Sequence, residues 1–187
     1  MSALDFNTAT EQRDFDLIPD KTNAVVQMHI QEGNVGEGGL LTLSENRKAE
    51  MLRCEFTVVG DKYAKRKFFT NMVLSGTTDG HAQAADISKS QLRAILESAR
   101  GIKPKDVSEA ATKARVAELR DFEGIRFWAR IGIEPQRGEY RARNTLRSVI
   151  TPDQKEWSPV QQVEQPLMHA VPADGKTIVK PAWVQAQ

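Results

Sequence analysis

Only one cysteine, Cys54, occurs among the 187 residues. No disulfide can form within the chain, so the fold must rest on its core. Nowhere is there an apolar run near the roughly 20 residues that a bilayer-crossing helix needs. The opening MSALDFNTATEQRDFD lacks both the basic and the apolar stretch of an export signal. These absences lead us to expect a cytoplasmic protein with no membrane partner. A surplus of charge is missing too. Lys and Arg number 26 against 25 Asp and Glu, which excludes a field of the whole molecule that gathers nucleic acid and leaves only local patches.

Catalytic patterns are equally scarce. GNVGEGG lacks the Lys-Ser/Thr ending of a phosphate loop. His29, His81 and His169 are scattered, with no HExxH and no paired cysteine to complete a metal site, and Cys54 falls at an inward strand position. Asp14 with Asp16, and Asp79 with Asp86, have a spacing that solvated carboxylates share. The expectation is a non-enzymatic protein with no catalytic residues, no metal and no cofactor.

What the chain does have is alternation. A length of 187 residues fits one domain with appendages or two small ones. Residues 1–20 hold Asp5, Glu11, Asp14, Asp16 and Asp20 against Arg13, and read as an acidic lead-in. NAVVQMHI (23–30) is a strand with Ala24, Val26, Met28 and Ile30 inward. The glycine-rich stretch from Gln31 to Arg47 reads as a long, mobile connection. MLRCEFTVV (51–59) and KFFTNMVL (67–74) form a predicted hairpin. Leu52, Cys54, Phe56 and Val58 point inward, and one of Phe68 and Phe69 faces outward.

The period then changes to helical. Ser88 with Gln91 gives a capping-box signature, Leu92, Ile95, Leu96 and Ala99 follow at helical spacing, and Gly101 with Pro104 supplies the stop. A second helical piece is expected from Ser108 as N-cap through EAATKARVAELR. GIRFWARIGI (124–133) and RNTLRSVI (143–150) resume the alternation. Residues 152–187 hold five of the eight prolines and no periodicity, and read as a flexible tail.

Three strands, a helix and two strands give a mainly β chain with helices, in the α+β class. They match the order of a five-stranded OB-fold-like Greek-key barrel spanning residues 21–151, with the helix between strands three and four. Such barrels bind oligonucleotides on strands two and three and in the loops between strands one and two and strands four and five. Basic and aromatic residues interleave where that geometry needs them: Lys62, Tyr63, Lys65, Arg66, Lys67 and Phe69 in one stretch, and Arg126, Trp128, Arg130, Tyr140, Arg141 and Arg143 in the other. Phosphates want cations and unstacked bases want π-faces, so single-stranded nucleic acid fits the pattern. Three other readings use the same residues. KYAKRK suits a solvated hairpin tip, the arginines suit surface ion pairs, and the aromatics suit a second buried surface.

FDLIPDKTNAVVQMHI, CEFTVVGDKYAKRKFFTNMVLSG, ISKSQLRAILESARGI and FEGIRFWARIGIE with RNTLRSVITP together resemble, over about residues 4–152, a bacteriophage family described as a domain of unknown function. On that resemblance, Tyr63, Arg66 and Phe68 match a third-strand motif, and Tyr140 with Asn144 match a closing one. DKTNAV stands where the family has a proline-glycine-tyrosine approach to its first strand, and the acidic C-terminal tip of many single-strand binders is lacking. The resemblance implies a bacterial host cell, single-stranded-DNA binding in phage or prophage replication and recombination, and phage replication or recombination proteins as neighbours, and it leaves homo-oligomerisation open. In that role Lys62, Lys65, Arg66, Lys67, Arg126, Arg130, Arg141 and Arg143 contact phosphates, while Tyr63, Phe69, Trp128 and Tyr140 stack bases. The rival expectations are a protein-binding adaptor or host-factor inhibitor using the same face, and a phage structural domain.

Overall fold

A computed structural model of the chain describes residues 16–60 and 62–162. Its strands are β1 (Thr22–Ile30), β2 (Leu41–Leu43), β3 (Ala49–Val58), β4 (Lys67–Gly76), β5 (Arg126–Glu134) and β6 (Arg143–Val149), and its α-helices are α1 (Asp79–Arg100) and α2 (Glu109–Lys113). They form one mainly β sheet, entirely antiparallel, in the order β2-β3-β1-β5-β6, with β4 on the other edge of β3.

Alternation decides the faces. Ala24, Val26, Met28 and Ile30 of β1 are buried, as are Leu52, Cys54, Phe56 and Val58 of β3, Phe68 and Met72 of β4, and Phe127, Ala129 and Ile131 of β5. Phe56 stacks on Phe68 at 5.2 Å between ring centres and meets Phe127 edge-on at 5.8 Å. Leu92, Ile95 and Leu96 of α1 join the same core. Burying each such side chain stabilises the fold by about 1.5–3 kcal/mol. The sheet is open between β4 and β6, which approach through side chains: Thr70 Oγ1 lies 3.2 Å from Thr145 Oγ1 and accepts the Leu146 N–H at 3.2 Å.

Five sequence expectations change. The sheet has six strands, because the glycine-rich connection is ordered and contributes β2. There the Gly33 N–H donates to the Gly39 carbonyl at 2.8 Å, and a Cβ on Gly33 would fall 2.0 Å from the Leu41 oxygen, so the loop folds back on itself only because that side chain is missing. Helix α1 starts at Thr78, whose hydroxyl accepts the His81 N–H at 3.2 Å, and Ser88 is a buried position within it. A run of alanines ahead of Ser88 continues the helix without apolar periodicity, which is why the start was not visible. Gly101, at φ 69°, ends the helix where expected. Ser108 does cap α2, but the helix ends at Lys113.

The described parts of both appendages are bound as well. Ile18 is 1% exposed. The Asn144 side chain pairs with it as a backbone would: its Oδ1 accepts the Ile18 N–H at 2.9 Å and its Nδ2 donates to the Ile18 carbonyl at 2.7 Å. The folded unit therefore begins before residue 21. At the other end, residues 152–162, expected to open a flexible tail, are held in place, with Glu156, Ser158 and Gln162 contacting the outside of β5. The remaining tail residues, 163–187, and the first part of the lead-in, 1–15, lie outside the described residues.

Candidate nucleic-acid interface

The outer face of β3 and β4 follows from their register. Arg53 stands opposite Asn71, Glu55 opposite Phe69, and Met51 opposite Val73. Phe69 is 46% exposed, because Phe68 beside it takes the inward place in the alternation. Above this face the connection between β1 and β3 forms a wall. The Gln31 N–H donates to the Arg53 carbonyl at 2.9 Å and seats the loop's first residue. The Ser44 hydroxyl closes the β2–β3 turn by accepting the Ala49 N–H at 3.0 Å. A groove of about 560 Å³ results, with Met51, Arg53, Phe69 and Asn71 on its floor, Gln31, Thr42, Leu43 and Glu45 along one side, and Arg143 of β6 at another.

The charges in and beside the groove are held in different ways. Among the described residues the Arg53 guanidinium has no hydrogen-bond or ion-pair partner. Arg143 reaches Glu134 at 2.8 Å, and Lys67 reaches Glu55 at 2.6 Å. The Arg143–Glu134 pair is solvent-exposed, worth less than about 1 kcal/mol, and yields readily to a stronger anion, whereas Glu55 in the other pair is largely covered. Phe69 offers a π-face among these cations. The arrangement can neutralise phosphates and stack a base.

The twelve residues singled out from sequence fall into three places. Phe69, Lys67 and Arg143 are at or beside the groove, and Tyr140 (83% exposed) and Arg141 stand on the β5–β6 turn that leads to Arg143. Lys62, Tyr63, Lys65 and Arg66 form the β3–β4 turn. In that turn Tyr63 is half-buried against the core, the Lys62 ammonium lies 5.3 Å from its ring centre, and the Arg66 guanidinium donates to the Asp16 carbonyl. Arg126, Trp128 and Arg130 lie on the outside of β5. The Trp128 indole is half-buried and donates to the Ser158 carbonyl at 2.9 Å. Of the residues carried by the resemblance, Phe68 is core, and Asn144 and Arg66 clasp the 16–18 segment.

Sequence reasoning passed over Arg53, Asn71 and Gln31. Arg53 and Asn71 were legible as outward positions of their strands, Arg53 between inward Leu52 and Cys54. Their joining across the ladder is a property of register alone.

Among the described residues, no three His, Cys, Asp or Glu side chains gather to hold a metal ion. Burial pushes the Cys54 thiol up from 9.0 to about 12, so it stays protonated at neutral pH. No helix among the described residues is long and apolar enough to cross a membrane. No protein-family model matches the chain, and no curated protein is significantly similar to it.

Proposed function

We propose that this protein is a non-catalytic single-stranded-DNA-binding protein whose ligand lies in the groove over β3 and β4. The observation that carries the reading is Phe69, an exposed ring on the groove floor with the unpaired Arg53 and the weakly paired Arg143 around it.

An OB-fold-like barrel is part of the same proposal. Its support is the order of neighbours, β4-β3-β1-β5-β6, with β4 and β6 meeting at Thr70 and Thr145. In such a barrel β3 and β4 are the second and third strands, and the walls of the groove are the loops that hold oligonucleotides in that architecture. The short β2 is an addition that stiffens the first of those loops. Replication or recombination of phage DNA in a bacterial cytoplasm is the setting the sequence resemblance implies, and we retain it as proposed.

Titration of a fluorescent oligo-dT with the full chain tests the reading. Phe69→Ala is expected to weaken binding by about 1–3 kcal/mol, the contribution of one stacked base. Arg53→Ala and Arg143→Ala should each flatten the dependence of log K on log salt by about 0.7. All three side chains are exposed, so the folded fraction should be unchanged. No binding at low salt, or binding indifferent to all three, overturns the proposal. Duplex DNA and single-stranded RNA in parallel titrations define the class of ligand.

A further inference from the structure

Arg126, Trp128 and Arg130 lie outside the groove, on a strand separated from β3 by β1, and the chain covers them itself. On either side of Trp157, whose indole donates to the Ser98 carbonyl at 3.0 Å, residues of the chain contact β5. Glu156 faces Arg130 at 3.5 Å, the Ser158 carbonyl accepts the Trp128 indole N–H at 2.9 Å, and the Gln162 amide joins the backbone of Arg126, accepting its N–H at 2.9 Å and donating to its carbonyl at 2.7 Å.

How the two arginines are held suggests what else belongs there. Arg126 Nε donates to Gln27 Oε1 at 3.2 Å and Arg130 Nε to Asn23 Oδ1 at 3.1 Å. Neutral amides thus orient both guanidinium groups without cancelling their charge. Among the described residues, Glu156 is the one carboxylate that pairs with either arginine. Carboxylate, carbonyl and planar amide set along a cationic strip with an indole at its centre imitate phosphate oxygens and the polar edge of a base.

We propose that the outer face of β5 is a second surface for single-stranded nucleic acid, held closed by the Glu156 side chain and residues 158–162 and opened when a strand displaces them. This rests on the reading of the groove as a single-strand site. A long strand first engages the groove and then competes for β5. Displacement is feasible because the Arg130–Glu156 pair is long and partly solvated and so worth little, while Trp157 keeps the base of the strap attached at α1.

Full-length Glu156→Gln tests this against Arg130→Ala and the double variant, by oligo-dT titration over a range of salt. Glu156→Gln is expected to tighten binding about threefold and to steepen the salt dependence by about 0.7, the increment for one further phosphate contact. Arg130→Ala alone should change little, because it removes together a phosphate contact and the ion pair that holds the strap, and in the double variant the gain should vanish. A gain that survives Arg130→Ala is a general charge effect and overturns the second surface. So does the absence of any gain while Phe69→Ala still weakens binding, and in that case the groove stands alone. No binding by any variant overturns both.

Discussion

Cys54 shows how far burial of one side chain reaches. Its folded-state pKa is raised, so the folded chain keeps a proton that the unfolded chain loses as pH passes 9. The stability this thiol contributes is full below pH 9 and declines as pH rises to about 12. Between pH 9 and 11, wild type should lose up to about 1.4 kcal/mol per pH unit more than Cys54→Ala. Urea unfolding of both proteins at pH 8, 10 and 11 checks this, and parallel losses would show that the thiol is not the cause. Asn144 is a different kind of residue. Its amide serves as a piece of backbone for Ile18 and clasps the lead-in to β6.

Among the elements, α1 does more than fill the core. Its Glu97, 3% exposed, accepts Arg93 Nε at 2.9 Å and Arg115 Nε at 2.7 Å. Arg115 in turn donates to the carbonyls of Lys103, Pro104 and Asp106, so one carboxylate anchors the whole connection after the helix. Asp106 in that connection accepts the Ser108 N–H, which holds its carboxyl below the ordinary range. Removing the centre of this network leaves a mostly buried guanidinium uncompensated. Glu97→Ala should cost about 3 kcal/mol, the low end for breaking a buried pair. Hydrogen exchange should rise over 103–115 before it rises in β3. Uniform loss of protection would instead mean that the network supports the core directly.

At the scale of the molecule, near-neutrality governs how a strand is found. With a net charge of +1 there is little long-range steering, and affinity has to come from contacts made after encounter. Arg53, Lys67 and Arg143 allow about three phosphate contacts in the groove, so log K should fall against log salt with a slope near −2. A salt titration of the wild type measures it directly. A slope near zero would favour a protein partner for this face, since Arg and aromatic residues anchor such interfaces too.

Period-2 alternation by itself determined which side chains of β1, β3 and β5 form the core, that Trp128 faces away from it and that one of Phe68 and Phe69 does, because a pleat leaves each residue only two sides. Gly101 likewise fixed the end of α1, since few other residues accept its left-handed conformation. Only the tertiary structure decided that the outward ring of that pair is Phe69, and which outward residues meet. Arg53 comes beside Phe69 through strand register, Arg143 through the approach of β6 to β4, and the Arg126–Trp128–Arg130 strip is covered by a segment 30 or so positions later in the chain. Contacts of that range follow from how the sheet folds round its core, and no local pattern encodes them.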